Sequence, residues 1–131
     1  MAFSFTIDSD RGVVRFTAGS VFSPRDVIAS IEQVRNHPAF RPDFDHLIDL
    51  RGIKEYQPHA DDIRQRSEYD RSDVRLDASR IAIVASSDIA YGMSRMYESL
   101  MEGATTTVHT FRDMAAAEAW LGLDVDAAKH R

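Results

Sequence analysis

Phe44–Ile53, FDHLIDLRGI, is the stretch on which the fold turns. Leu47, Ile48 and Leu50 form a near-continuous apolar run, the pattern of a strand covered on both faces. It ends in Asp49, Arg51 and Gly52, polar and small residues at the point where a buried strand leaves its sheet. Downstream, RIAIVAS (80–86) repeats the pattern more strongly, because Ile81 to Ala85 leave no polar face. Two buried strands some 35 residues apart call for a covered crossover between them.

The residues between them supply it. Pro58 is expected to open a helix through PHADDIRQRSEYD, with Ile63 as its main apolar anchor and Tyr69 as a second. Residues 61–77 mix Asp61, Asp62, Glu68, Asp70, Asp73 and Asp77 with Arg64, Arg66, Arg71 and Arg75, which reads as a solvated face. Upstream, AFSFTI and VVRFTAG alternate across the polar turn DSDRG, as a hairpin does. SPRDVIASIEQVRNHP then offers Ser23 as a cap, Pro24 at the first helical position and Asp26 in the first turn. Its stripe is Val27, Ile28, Ile31 and Val34, and Pro38 and Pro42 stop it. After the second buried strand, Ser87 or Asp88 caps IAYGMSRMYESLMEG. The expected stripe there is Ile89, Met93, Met96 and Leu100, with Tyr97 and Met101 beside it and Gly103 at the end. TTVHTF (106–111) reads as a more polar edge strand, and Asp113 caps a last helix, MAAAEAWL, ended by Gly122.

The order is β-β-α-β-α-β-α-β-α. It predicts a single α/β domain on a mixed, mostly parallel five-stranded sheet, with an antiparallel hairpin at one end. Residues 1–122 form the domain and 123–131 a loosely held tail. At 131 residues, the chain buries roughly 65–70% of its unfolded surface, enough for one unaided core.

This order, with LIDLRG ending the third strand, RIAIVAS as the fourth, YGMSRM in the third helix and FRDMAAAEAWL closing the domain, resembles the SpoIIAA-like group of STAS domains, also described as STAS/SEC14-like. The resemblance implies a sheet with helices chiefly on one side, in a module that binds rather than transforms. In anti-sigma-factor antagonists of that superfamily, the loop after the third strand carries a phosphorylatable serine following an aspartate. Here that loop, Asp49 to Pro58, contains neither Ser nor Thr. The phosphorylation switch does not carry over.

Composition narrows function mainly by exclusion. The net charge of −5, with Arg64, Arg66, Arg71 and Arg75 matched by acids, argues against nucleic-acid binding. There is no cysteine, so no disulfide, thiolate nucleophile or cysteine-based zinc site. His37, His46, His59, His109 and His130 are scattered without metal-ligand spacing. His46 and His109 are placed on one sheet face, with nothing bringing them together. No GxSxG, P-loop or GxGxxG motif is present. The N-terminus lacks the features of a signal peptide and no window is apolar enough to span a membrane, so the expectation is a cytoplasmic protein without membrane insertion.

Two candidate sites follow. The first is the strand-end rim of Asp49, Arg51 and Gly52, joined by Ser87 at the start of the next helix. Open α/β sheets bind ligands at such rims, and a helix start attracts anions. The second is the outer side of the helix after residue 88, where Tyr91, Arg95 and Met96 offer an adaptable surface. The expected function is a non-enzymatic interaction module working through protein contacts, with self-association as one form. The alternative is a carrier of a small apolar, lipid-like ligand beside that helix. No cofactor and no metal is expected.

Overall fold

The computed structural model describes residues 3–123. β1 (Phe3–Asp8) and β2 (Val13–Ala18) form the antiparallel hairpin. Gly12 closes its turn at φ +67°, donating its N–H to the Asp8 carbonyl at 2.9 Å. β4 (Asp45–Asp49), β6 (Arg80–Val84) and β7 (Thr107–Phe111) add in parallel, and the sheet order is β1-β2-β4-β6-β7. The chain has a mixed, mostly parallel α/β architecture of five main strands and four helices. One small element was not anticipated. β3 (Val21–Phe22) and β5 (Glu55–Tyr56) pair in parallel as a separate two-stranded sheet. Two-residue strands are too short to show a period, so alternation does not reveal them.

The sheet has two unlike faces. On one, Val13, Leu47, Ala82 and Val84 pack against Ala117 of α4 (Met114–Trp120) and Leu121, its C-cap, with Phe111 and Trp120 at the margin. Leu123, expected at the head of a loose tail, is instead buried in this cluster and donates to the Glu118 carbonyl at 2.7 Å. The rest of that tail lies outside the described residues. The other face carries Val14, Phe16, Ile48, Ile81 and Ile83 beneath α1 (Pro24–Arg35), α2 (Ala60–Arg71) and α3 (Asp88–Leu100). His46 aligns with Ile81, and His109 with Ala82. One residue of register puts them on opposite faces, which corrects the shared face expected of them.

Each helix start is chemically marked. Ser23 and Ser87 accept the N–H groups of Asp26 and Ala90, and Asp113 that of Ala116. α2 begins two residues after Pro58, with His59 as its cap and the Asp62 carboxylate accepting the His59 N–H at 2.8 Å. In α3 the buried side is Ala90, Ser94, Tyr97 and Met101, whereas Ile89 is 57% exposed and Leu100 37%. The expected stripe is thus rotated by one residue. Small side chains at 90 and 94 bring this face close to the sheet, and the Tyr97 phenol has an inward partner. Among the described residues, no helix is long and apolar enough to cross a membrane.

Candidate functional site: a hollow with a charged floor

Helices α1, α2 and α3 do not close over their sheet face. They leave a cavity of ≈ 440 Å³, within the roughly 300–1,000 Å³ typical of small-molecule sites. Most of its wall is apolar. Phe3, Phe16, Phe22, Ile48, Leu50 and Ile83 supply the sheet side, and Val27, Ile31, Ile63 and Met93 the helices. Ile28 and Tyr69 line it too and are about half exposed, so the hollow reaches solvent between α1 and α2.

One end is different. Asp70, 4% exposed, accepts a hydrogen bond from Arg35 Nη1 at 2.7 Å, from Arg66 Nη2 at 2.7 Å and from the Tyr97 hydroxyl at 2.5 Å. Arg35 also reaches Asp73 at 2.9 Å. Arg75 holds Asp73 and, through both terminal nitrogens, Glu32 at 3.0 Å. These contacts tie the end of α1 to the end of α2 and the loop behind it. They overturn the reading of residues 61–77 as a solvated face: Arg64 and Asp61 are solvated, but Asp70 and Asp73 are inside. The helical signal was present, since Ile63, Ser67 and Asp70 lie on one face of α2. No sequence rule located Arg35 opposite that face.

The electrostatics follow from this packing. Burial pushes the Asp70 carboxyl up, but the Arg35 and Arg66 guanidiniums outweigh it and hold it below the usual carboxylate range. Asp73 is carried down to about 2, as the Arg75 and Arg35 bonds outweigh its own burial. Burial, together with the Asp70 charge, raises the Tyr97 phenol well above its ordinary value. His46, 3% exposed, stacks on Phe16 at 6.0 Å and meets Phe40 edge-on at 5.8 Å. Burial and the neighbouring Arg35 charge drive its pKa down to about 3, so the imidazole is neutral at pH 7. Arg35 Nε and both His46 ring nitrogens are buried without a hydrogen-bond partner among the described residues.

The residues singled out in the sequence lie elsewhere. Asp49 and Arg51 face each other in a two-point ion pair at 2.9 and 3.0 Å. That bond holds the Asp49 carboxyl down against its partial burial. Gly52 has only the Ala18 carbonyl near its Cα, at 3.6 Å from an added Cβ. Ser87 spends its hydroxyl on capping α3. Ser86 donates to the Arg51 carbonyl at 3.4 Å. Arg112 pairs with Asp88 at 2.9 Å and lies over the Tyr91 ring at 4.1 Å. Arg95 is exposed beside Glu98 at 3.7 Å, and Met96 is half-buried. The structure thus brings the rim residues together but pairs them off at the surface. Of the α3 residues, Met93, Ser94 and Tyr97 reach the cavity, while Tyr91, Arg95 and Met96 are absent from its lining. The described residues contain no group of His, Cys, Asp and Glu suited to hold a metal ion.

Set against known proteins, this architecture is a SpoIIAA-like fold. The chain is similar, over 92% of its length and 92% of the other chain, to an uncharacterised DUF3478-family protein of Shewanella loihica PV-4 with a SpoIIAA-like fold, at a TM-score of 0.57 and 16% identity. No protein-family model matches the sequence, and no curated protein matches it. The likeness is one of fold alone.

Proposed function

We propose that this chain is a binding module, without a chemical step of its own, whose ligand is a small and largely apolar molecule held between the sheet and α1, α2 and α3. The observation that supports it is the cavity: ≈ 440 Å³, mainly apolar and open between α1 and α2. Lining atoms of an apolar hollow have few dispersion partners on the open side, and an apolar ligand supplies them. An engineered apolar cavity of roughly 150 Å³ accommodates benzene; this one is about three times larger.

The test is fluorescence titration with N-phenyl-1-naphthylamine, an uncharged apolar dye that brightens out of water. Wild-type protein should bind it saturably, one per chain. Ile31→Trp, which puts an indole into the hollow, should remove binding while thermal melting shows a folded protein. No saturable binding to the wild type would end the proposal.

A second reading, contact with a protein partner or a second copy through α3, is favoured by the exposure of Ile89 and Leu100 on the outer side of that helix. Met96 lies between them on the same side. Sedimentation over a range of concentrations tests self-association, and Ile89→Asp should shift the equilibrium toward monomer. A wild type that stays monomeric at every concentration removes the self-association form.

A further inference from the structure

The charges around the cavity cancel, and what remains unmatched is neutral. Arg35, Arg66 and Arg75 face Asp70, Asp73 and Glu32 in one contiguous set of ion pairs. Tyr97 adds a fourth donor to Asp70. The remaining ionised group on the wall, Asp62, caps α2 through the His59 N–H. No cation on the wall lacks a carboxylate, so a buried ligand anion would bring a charge with no counter-ion, at a large desolvation cost.

On this wall, the fully buried groups without a partner among the described residues are one donor and one ring. Arg35 Nε offers an N–H, and both nitrogens of His46 lack partners. A neutral imidazole presents one N–H donor and one nitrogen acceptor. Both side chains line the cavity, and each is more than nine-tenths buried. A hydroxyl is the smallest group that both accepts and donates, and so answers a donor and an acceptor together. A carboxylate only accepts, and an ammonium only donates. Away from His46 the wall is mainly apolar: Phe22, Leu50 and Ile83 line it, with the Tyr56 ring stacked on Phe22 at 5.1 Å. Leu50 lies four residues beyond His46, just past the end of β4, a run of about 13 Å. By proportion with benzene in roughly 150 Å³, the volume suits a body of at most about 18 carbon atoms.

Resting on the proposed apolar-ligand reading, we infer that the ligand is an uncharged amphiphile whose hydroxyl lies against His46 and Arg35 and whose apolar body extends toward Leu50 and Phe22. The alcohol's oxygen accepts from Arg35 Nε, and its proton goes to the unprotonated imidazole nitrogen of His46. Polarity thereby sets the ligand's direction in the hollow.

The experiment is displacement of bound N-phenyl-1-naphthylamine by decan-1-ol, decanoate and decylammonium at pH 8, three heads on one chain length. Decan-1-ol should displace the dye at a concentration at least tenfold below either charged compound. His46→Phe keeps the aromatic stack on Phe16 and removes both nitrogens; in it the ratio of decan-1-ol to decanoate should fall toward one. Thermal melting confirms that the variant is folded, and if it is not, the wild-type ratio alone decides. Decanoate or decylammonium as the tightest ligand overturns the inference and leaves the cavity reading standing. So does an unchanged ratio in folded His46→Phe. Failure of the dye to bind the wild type overturns both.

Discussion

The strand-end rim and the floor of the cavity are built from the same chemistry and end differently. At the rim, Asp49 and Arg51 form a two-point pair in partial contact with water. At the floor, Arg35 and Asp70 form a shorter bond with both side chains 2% exposed. The rim pair can dissolve into solvent if either partner is lost. The floor pair cannot, because its two side chains are buried and a lone charge left there loses its counter-ion without regaining hydration. Location rather than residue type separates the two pairs. The rim has the position expected of a ligand site in an open α/β sheet, yet its groups consume one another. The floor also balances its charges, but it leaves Arg35 Nε and His46 over.

Breaking each pair should expose that contrast most sharply. Asp70→Asn leaves the buried Arg35 charge without its nearest counter-ion, and the loss should be about 3–5 kcal/mol of unfolding free energy. Asp49→Asn at the rim should cost about 1 kcal/mol or less. Urea denaturation of the two variants beside the wild type measures both. Equal losses would remove the distinction between rim and floor.

Acid should weaken the floor before the rim. His46 has a folded pKa near 3, below its ordinary value of 6.5. The unfolded chain therefore binds a proton that the folded chain refuses. This contribution is fully present above about pH 6.5 and declines as pH falls from there toward 3, by at most about 1.4 kcal/mol per unit. Asp70 and Asp73, both held down by arginines, add a loss at lower pH: their contribution is present above the ordinary carboxylate value and disappears as pH falls through their folded values. Between pH 6.5 and 4.5 the histidine dominates the floor's response. His46→Phe should flatten the stability profile in that window, as urea melts at half-unit steps would show. An unchanged slope would mean that the imidazole is solvated after all.

The two sheet faces permit a smaller test. The face under α4 is closed over Leu47, which is 1% exposed. Leu47→Phe has nowhere to place its extra volume and should cost about 1–3 kcal/mol. Ile31→Trp adds more volume on the opposite face, but into a hollow of ≈ 440 Å³; melting should move little or upward. If both variants lose stability alike, the hollow is not available space.

Much of this fold was legible, because buried parallel strands announce themselves. Ile81 to Ala85 and Leu47 to Leu50 needed no partner information, and Ser23, Ser87 and Asp113 marked helix starts at the positions observed. The cavity was legible only as the alternative of an apolar pocket beside α3, since a hollow depends on how far helices stand from a sheet. Its floor was harder still. Arg66 and Asp70 show helical spacing, but Arg35 lies 35 residues upstream of Asp70. A mixed run of charges looks the same whether it meets water or another helix. The rotated face of α3 failed for a related reason: apolar spacing favoured Ile89 and Leu100, whereas Ser94 and Tyr97 are drawn inward by close packing and by Asp70.

The smallest expected effect concerns Gly92, in the second turn of α3, a residue that costs a helix interior roughly 1 kcal/mol relative to alanine. An added Cβ there would meet nothing within 4 Å. The glycine therefore gives up helix propensity with no tight approach to show for it. Gly92→Ala should stabilise the fold by about 0.5–1 kcal/mol, raising the melting temperature by roughly 3 °C for a domain of this size. The substitution also bears on the two surfaces of α3. Tyr91 and Arg95 flank this exposed position, while Ser94 and Tyr97 hold the buried side. If Gly92→Ala stabilises without altering dye binding or sedimentation, the glycine serves neither the hollow nor a contact between chains. If it stabilises yet weakens self-association, the methyl has entered an interface, and the outer side of α3 becomes the working surface in place of the floor.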